Sequence, residues 1–164
     1  MSDTKHEDLM KIGKSAYESI VEMVSALECD YERLEELRDI ETEVERDPDA
    51  RMDEDHREEL KELEDAAGEC EDREEAEQRI QEDALSIQVR SGWANIGDAL
   101  NASEFEIMLT TGGPAVRIMG ELDGNSEPDR AWLEVQDWGT PWTQYIQANQ
   151  DTLLTYCRCF YFGE

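Results

Sequence analysis

Four groups of side chains have types and spacings that could do chemistry. The stretch QDWGTPWTQY (136–145) gathers Trp138, Trp142 and Tyr145, whose rings could stack a base or a sugar. TTGGPAV (110–116) has the glycines of a phosphate-cradling loop. Glu134 with Asp137, and Glu104 with Glu106, are close enough in sequence to suggest paired carboxylates for acid–base work. Cys157 and Cys159, with His6 and His56, are the softer donors open to a metal or a nucleophilic mechanism.

Each group meets an objection. No basic residue lies between Arg130 and Arg158, so a phosphate at the aromatic stretch lacks its usual counter-charge. That stretch reads better as a rigid corner, with Gly139 turning, Thr140 capping, Pro141 at a first helical position and the indoles filling core. TTGGPAV lacks the lysine and the spacing of a P-loop and reads as a hairpin turn. Acid pairs are expected by chance among 43 acidic residues in 164. The two cysteines have no second pair nearby, and both histidines lie far from them in sequence, so neither zinc nor an activated thiol is expected. The expectation is a protein that is not an enzyme and uses no metal or cofactor.

The charge is the strongest signal. The chain carries 43 acidic and 15 basic residues, a net of −28. Such a field repels nucleic acid and anionic membranes and attracts basic protein surfaces. At 38% hydrophobic residues, with four Trp and five Tyr, the chain still has material for a core. No run approaches the ~18 apolar residues that span a bilayer. MSDTKHEDLM has acids where a signal peptide needs a basic patch, so a cytoplasmic location with reduced thiols is expected.

The elements that must position these groups fall into two regions. Residues 1–83 hold 32 acidic and 11 basic side chains, and 84–164 hold 11 and 4. In the first region Leu9, Ile12, Ala16, Ile20, Met23, Val24, Leu27, Tyr31, Leu34 and Leu37 recur at helical spacing. They predict a helix over about 3–45, with a break near Cys29–Asp30 where Asp30 could cap a restart. Asp47–Pro48 ends it. Asp53 then caps a second helix with a seam at Leu60, Leu63, Ala67 and Cys70, and Gly68 stops it. Asp72 with Glu75 has capping-box spacing for a third segment through Ala76 and Ile80. In the second region LSIQVRS, EFEIMLTT, AVRIMGEL and AWLEVQD read as four antiparallel strands in meander order. DTLLTYCRCFYF reads as a helix begun by Asp151, with a strand as the alternative. The expected class is α+β: an acidic helical hairpin or short coiled coil (1–83), then a small antiparallel sheet with a C-terminal helix (84–164).

The motifs VRSGW, TTGGPAVRIMGELD, AWLEVQDWGTPWTQY and CFYFGE together resemble a family of small proteins encoded in bacteriophages and prophages. The resemblance covers about 84–164. It implies a phage context, in which inhibiting host proteins is an expected task, and brings no activity or catalytic residue with it. In charge and size the chain also resembles the acidic DNA mimics among phage anti-restriction and anti-CRISPR proteins.

The acidic helices are therefore the expected working part. Glu54–Glu58, Asp55–Glu59, Glu58–Glu62, Asp65–Glu69 and Glu71–Glu75 are like-charge i,i+4 pairs, each costing a few tenths of a kcal/mol. Residues 53–83 carry a net of −12, which over about 46 Å of helix approaches the charge spacing of one DNA strand. A halophilic coat would spread acid over the whole surface, and here two thirds or more lies in one half. The expected function is a non-enzymatic inhibitor that occupies the basic nucleic-acid-binding surface of a host defence protein. Its contacts would be made by Glu35, Glu36, Asp39, Asp53, Asp55, Glu58, Glu59, Glu62 and Asp65, with self-association through the long N-terminal helix as a compatible addition. The alternative is a structural or regulatory interaction module using the Trp-rich sheet half.

Overall fold

A computed structural model describes residues 3–163. The order is α1 (Asp3–Glu28), α2 (Tyr31–Arg46), α3 (Glu54–Ala67), α4 (Arg73–Asp83), β1 (Ser86–Ser91), β2 (Ala102–Thr110), β3 (Ala115–Leu122), β4 (Pro128–Gln136), β5 (Thr143–Gln144) and α5 (Gln150–Cys157). The protein is α+β, with helices first, then an antiparallel sheet and a C-terminal helix packed on it. Among the described residues no helix is long and apolar enough to cross a membrane.

Compactness divides the chain differently from its charge. One unit combines the chain up to Val21 with the chain from Arg79 onward, and the other is Glu22–Gln78. The helix-to-strand change falls where composition shifts, between Asp83 and Ser86, but the first five turns of α1 belong to the sheet unit. Gly13 shows why. A Cβ there would lie 2.6 Å from the Tyr145 ring, so only glycine lets α1 come so close. Tyr17 reinforces the contact, with its ring 6.2 Å from that of Tyr145 and its hydroxyl accepting the Asn149 N–H at 3.1 Å.

The sheet is a meander in the order β1-β2-β3-β4-β5. Period-two burial places Phe105 and Ile107, Val116 and Ile118, and Ala131, Leu133 and Val135 in the core. The register sets Ile107 beside Ile118 and Ile118 beside Leu133. α5 adds Leu153, Leu154, Tyr156 and Cys157 to that core. Tyr156 is buried, and its hydroxyl donates to the Asp83 carboxylate at 2.6 Å.

The sheet unit corrects several local expectations. A fifth strand, two residues long, follows the four expected ones; the Tyr145 N–H donates to the Leu133 carbonyl at 2.8 Å just beyond it. Pro141 precedes this strand and starts no helix. α5 is capped by Asn149, whose side chain accepts from the N–H groups of Asp151 and Thr152, so Asp151 sits in the first turn instead of beginning the helix. The helix ends at Cys157, and Tyr161 is exposed.

In the second unit α1 ends at Glu28, and Asp30 caps α2 by accepting the Arg33 N–H at 3.0 Å. Asp53 caps α3 by accepting the Asp55 N–H, and Gly68 stops it at φ +59°. The chain reverses between these helices, and α3 packs back along α2. Leu34, Leu37, Met52, Leu60 and Ala67 form the seam, flanked by Tyr31, Ile40, Val44 and Leu63. Asp72 accepts the Glu75 N–H, while the Glu75 carboxylate accepts the N–H of Glu71, at 2.8 Å each.

Candidate acidic interface

The helical hairpin sorts its acids by angle. Successive residues turn by about 100°, so Arg33 and Arg38 lie about 140° apart and flank the seam on its two sides. Arg33 reaches across to Glu59 with two hydrogen bonds of 2.8 Å and holds Glu36 at 3.1 Å. Arg38 reaches Glu64 at 3.4 Å. The guanidinium hydrogen bonds hold the Glu59 carboxyl below the usual carboxylate range, outweighing its partial desolvation, and keep Arg33 protonated. These acids are neutralised where they stand.

The nine expected contact residues therefore separate. Glu36 and Glu59 are bound to Arg33. Asp53 is exposed but occupied as a helix cap. Glu35 and Asp39 on α2, and Asp55, Glu58, Glu62 and Asp65 on α3, are exposed. None of these six has a basic partner within ion-pair distance among the described residues. Glu35, Asp39, Glu58, Glu62 and Asp65 lie roughly 100–160° round their helices from the seam leucines. They point away from the partner helix, in opposite directions. Packed helices lie 8–10 Å apart and each is about 10–12 Å across, so the two acidic rails run roughly 20 Å apart along opposite sides of one rod.

This geometry revises the expected charge line. Residues 53–83 do not form one straight helix of about 46 Å, because Gly68 ends α3 and α4 begins at Arg73. Asp65–Glu69 spans that stop. Glu71–Glu75 is a capping contact and not a repulsive pair within a helix. Glu54 is paired with Arg57 at 3.3 Å. The density survives on α3 alone, which holds seven acids against Arg57 and Lys61 in 14 residues. That is about one net negative charge per 4 Å of helix.

The other chemical candidates close. Arg117 at the centre of the sheet's open face is held at 2.7 Å by both Glu106 and Glu134, and its guanidinium lies 4.0 Å from the Trp142 ring centre. Glu104 is bound to Arg90 at 2.6 Å, which holds its carboxyl low. Sequence reasoning missed Arg117 as a partner for the aromatic corner, because it comes from β3 and only strand register brings it there. The corner is rigid: the Thr140 hydroxyl donates to the Asp137 carbonyl and accepts its N–H, and Gly139 has φ +72°. Its indoles are not core, however. Trp138 is 79% exposed and lies over Gly113, where a Cβ would strike the ring. TTGGPAV is thus a hairpin turn covered by an indole, with a cis Gly113–Pro114 bond.

Burial pushes the Cys157 thiol up, which keeps it protonated and unreactive. A concavity of about 510 Å³ lies beside α1 and is lined by Ile12, Ala16, Ile20, Leu109, Pro114 and Val116, with Lys11 and Asp83 at its polar part. Among the described residues no group of three His, Cys, Asp or Glu is placed to hold a metal. Compared with family models, curated proteins and solved structures, the chain matches none.

Proposed function

We propose that this protein is a non-enzymatic, phage-encoded inhibitor that uses its acidic helical hairpin to occupy the basic nucleic-acid-binding surface of a host defence protein. The observation that carries this reading is the division of the hairpin's charge. Acids beside the seam are neutralised by Arg33 and Arg38, while five on the outer faces, and Asp55 at the start of α3, have no basic partner within ion-pair distance among the described residues. Apart from Asp55, which sits in the first turn of α3, the outer acids make no ion pair that would hold the hairpin, and Glu58–Glu62 is a repulsive i,i+4 pair.

Two outward rails of carboxylates on one rod present anionic groups along opposite sides, as the two phosphate strands of a duplex do. A Lys/Arg groove shaped for nucleic acid could take the hairpin through charge-assisted contacts at either rail. The resemblance of the second half to phage-encoded proteins supports the same setting.

The test is capture from host lysate on the immobilised full-length protein, with elution by rising salt and mass spectrometry of the eluate. Nucleic-acid-binding proteins should elute as salt screens the contacts over a Debye length of about 8–10 Å. Retention of the captured proteins at high salt, or capture of partners without basic surfaces, would overturn the reading.

A further inference from the structure

The outer edge of the sheet carries a second feature, independent of the acidic hairpin. β1 is the end strand, and among the described residues nothing pairs with its free side. Unpaired edges invite association, and proteins usually blunt them with lysine, proline, brevity or a covering element. β1 has six residues, no lysine and no proline. Its burial is low along almost its whole length.

The apolar side chains among the exposed ones face one way, and Ser86, Gln88 and Arg90 face the other. Ile87 pairs across from Ile107 and Val89 from Phe105, both buried core residues. Leu85, Ile87 and Val89 therefore continue the core face of the sheet beyond its cover, at 61%, 41% and 49% exposure. The loop that follows adds Trp93, Ile96 and Leu100, with Trp93 and Ile96 fully exposed. These six side chains together expose on the order of 800 Å². A standard interface covers about 800 Å² per partner.

The geometry points to a second copy of this chain as the occupant, docking β1 antiparallel to β1 about a two-fold axis at Ile87 and joining the two sheets into one. In that register Ile87 faces its counterpart, and Leu85, just before β1, faces Val89 twice over, so these three pairs are apolar. Ser86 faces Gln88 on the other face. A shift of one residue would set apolar against polar groups. Charge favours the same partner. From Ala84 to Gly97 there is no acidic residue, in a chain where acids otherwise occur about once in four positions. Copies with a net charge of −28 can approach there without bringing carboxylates together. The apolar seam of α1 is not the contact, since Leu9, Ile20, Met23, Val24 and Leu27 are buried within the chain.

The experiment is sedimentation equilibrium of the full-length protein over a micromolar range. The mass should rise toward twice 18.9 kDa. Ile87→Glu and Ile87→Lys each place like charges face to face and should weaken the dimer roughly 100-fold or more, with circular dichroism unchanged because Ile87 lies at the surface. Mixing the two variants should restore a dimer, since the central pair becomes oppositely charged. If either variant loses its helical signal, Trp93→Ser takes its place and should weaken the dimer at least about tenfold. A wild-type protein that stays monomeric, substitutions that leave the dimer intact, or folded variants that fail to re-form it on mixing would each overturn the proposal.

Discussion

Arg33 decides how much of the hairpin's acidity is free. Its bidentate grip on Glu59 ties α2 to α3, and with its bond to Glu36 it takes two acids, Glu36 and Glu59, out of the unpaired set. Glu59 is held below its ordinary value of 4.5. A depressed carboxyl contributes stability that is present above its unfolded value and lost as pH falls through its folded one. Arg33→Gln should therefore be less stable than wild type to urea at neutral pH. The difference should persist down to about pH 4.5 and close below it, as Glu59 is protonated in both states. A difference that is constant across pH would show that Arg33 acts through packing instead. None of this pairing was legible from residue types alone, because residues 33 and 59 meet only once the hairpin register is set. The caps were legible. Asp30, Asp53 and Gly68 act through bonds within three or four residues, so their chemistry is visible in a short window.

At the level of elements, the seam of α2 and α3 keeps the two rails pointing outward. Leu60 is buried against Leu34 and Leu37, and Leu60→Ala should cost about 2–5 kcal/mol through lost transfer energy and the cavity left behind. Guanidinium unfolding followed by far-UV circular dichroism checks this, and a loss under about 0.5 kcal/mol would mean the seam does not hold the hairpin. Helical and strand periodicity made α1–α4 and β2–β4 readable, because each exposes one face and buries the other, and β1 was readable from the alternation of its residues although both its faces are exposed. β5 was not readable. Two residues carry no periodicity, and a tertiary contact to β4 places them. The start of α5 was misplaced by two residues because Asn149 and Asp151 are both competent caps, and only the path of the chain selects between them. Charge groups the first turns of α1 with the acidic helical region 1–83, while Gly13 admits the ring of Tyr145 and joins those turns to the sheet unit.

For the whole molecule, composition gave the field and folding gave its direction. A net charge of −28 works against compaction, and the cost is concentrated where it meets no counter-charge. Stability and function should therefore respond in opposite senses to the outer acids. The most direct measurement replaces Glu35, Asp39, Asp55, Glu58, Glu62 and Asp65 together with their amides, Gln or Asn. The variant is then scored for protecting a restriction- or CRISPR-sensitive phage on a defended host, with its melting temperature recorded beside the wild type's. The substitutions keep side-chain shape and remove like-charge repulsion, so the variant should melt no lower than wild type while its protection is lost. A folded six-amide variant that protects the phage as well as the wild-type protein would contradict the account.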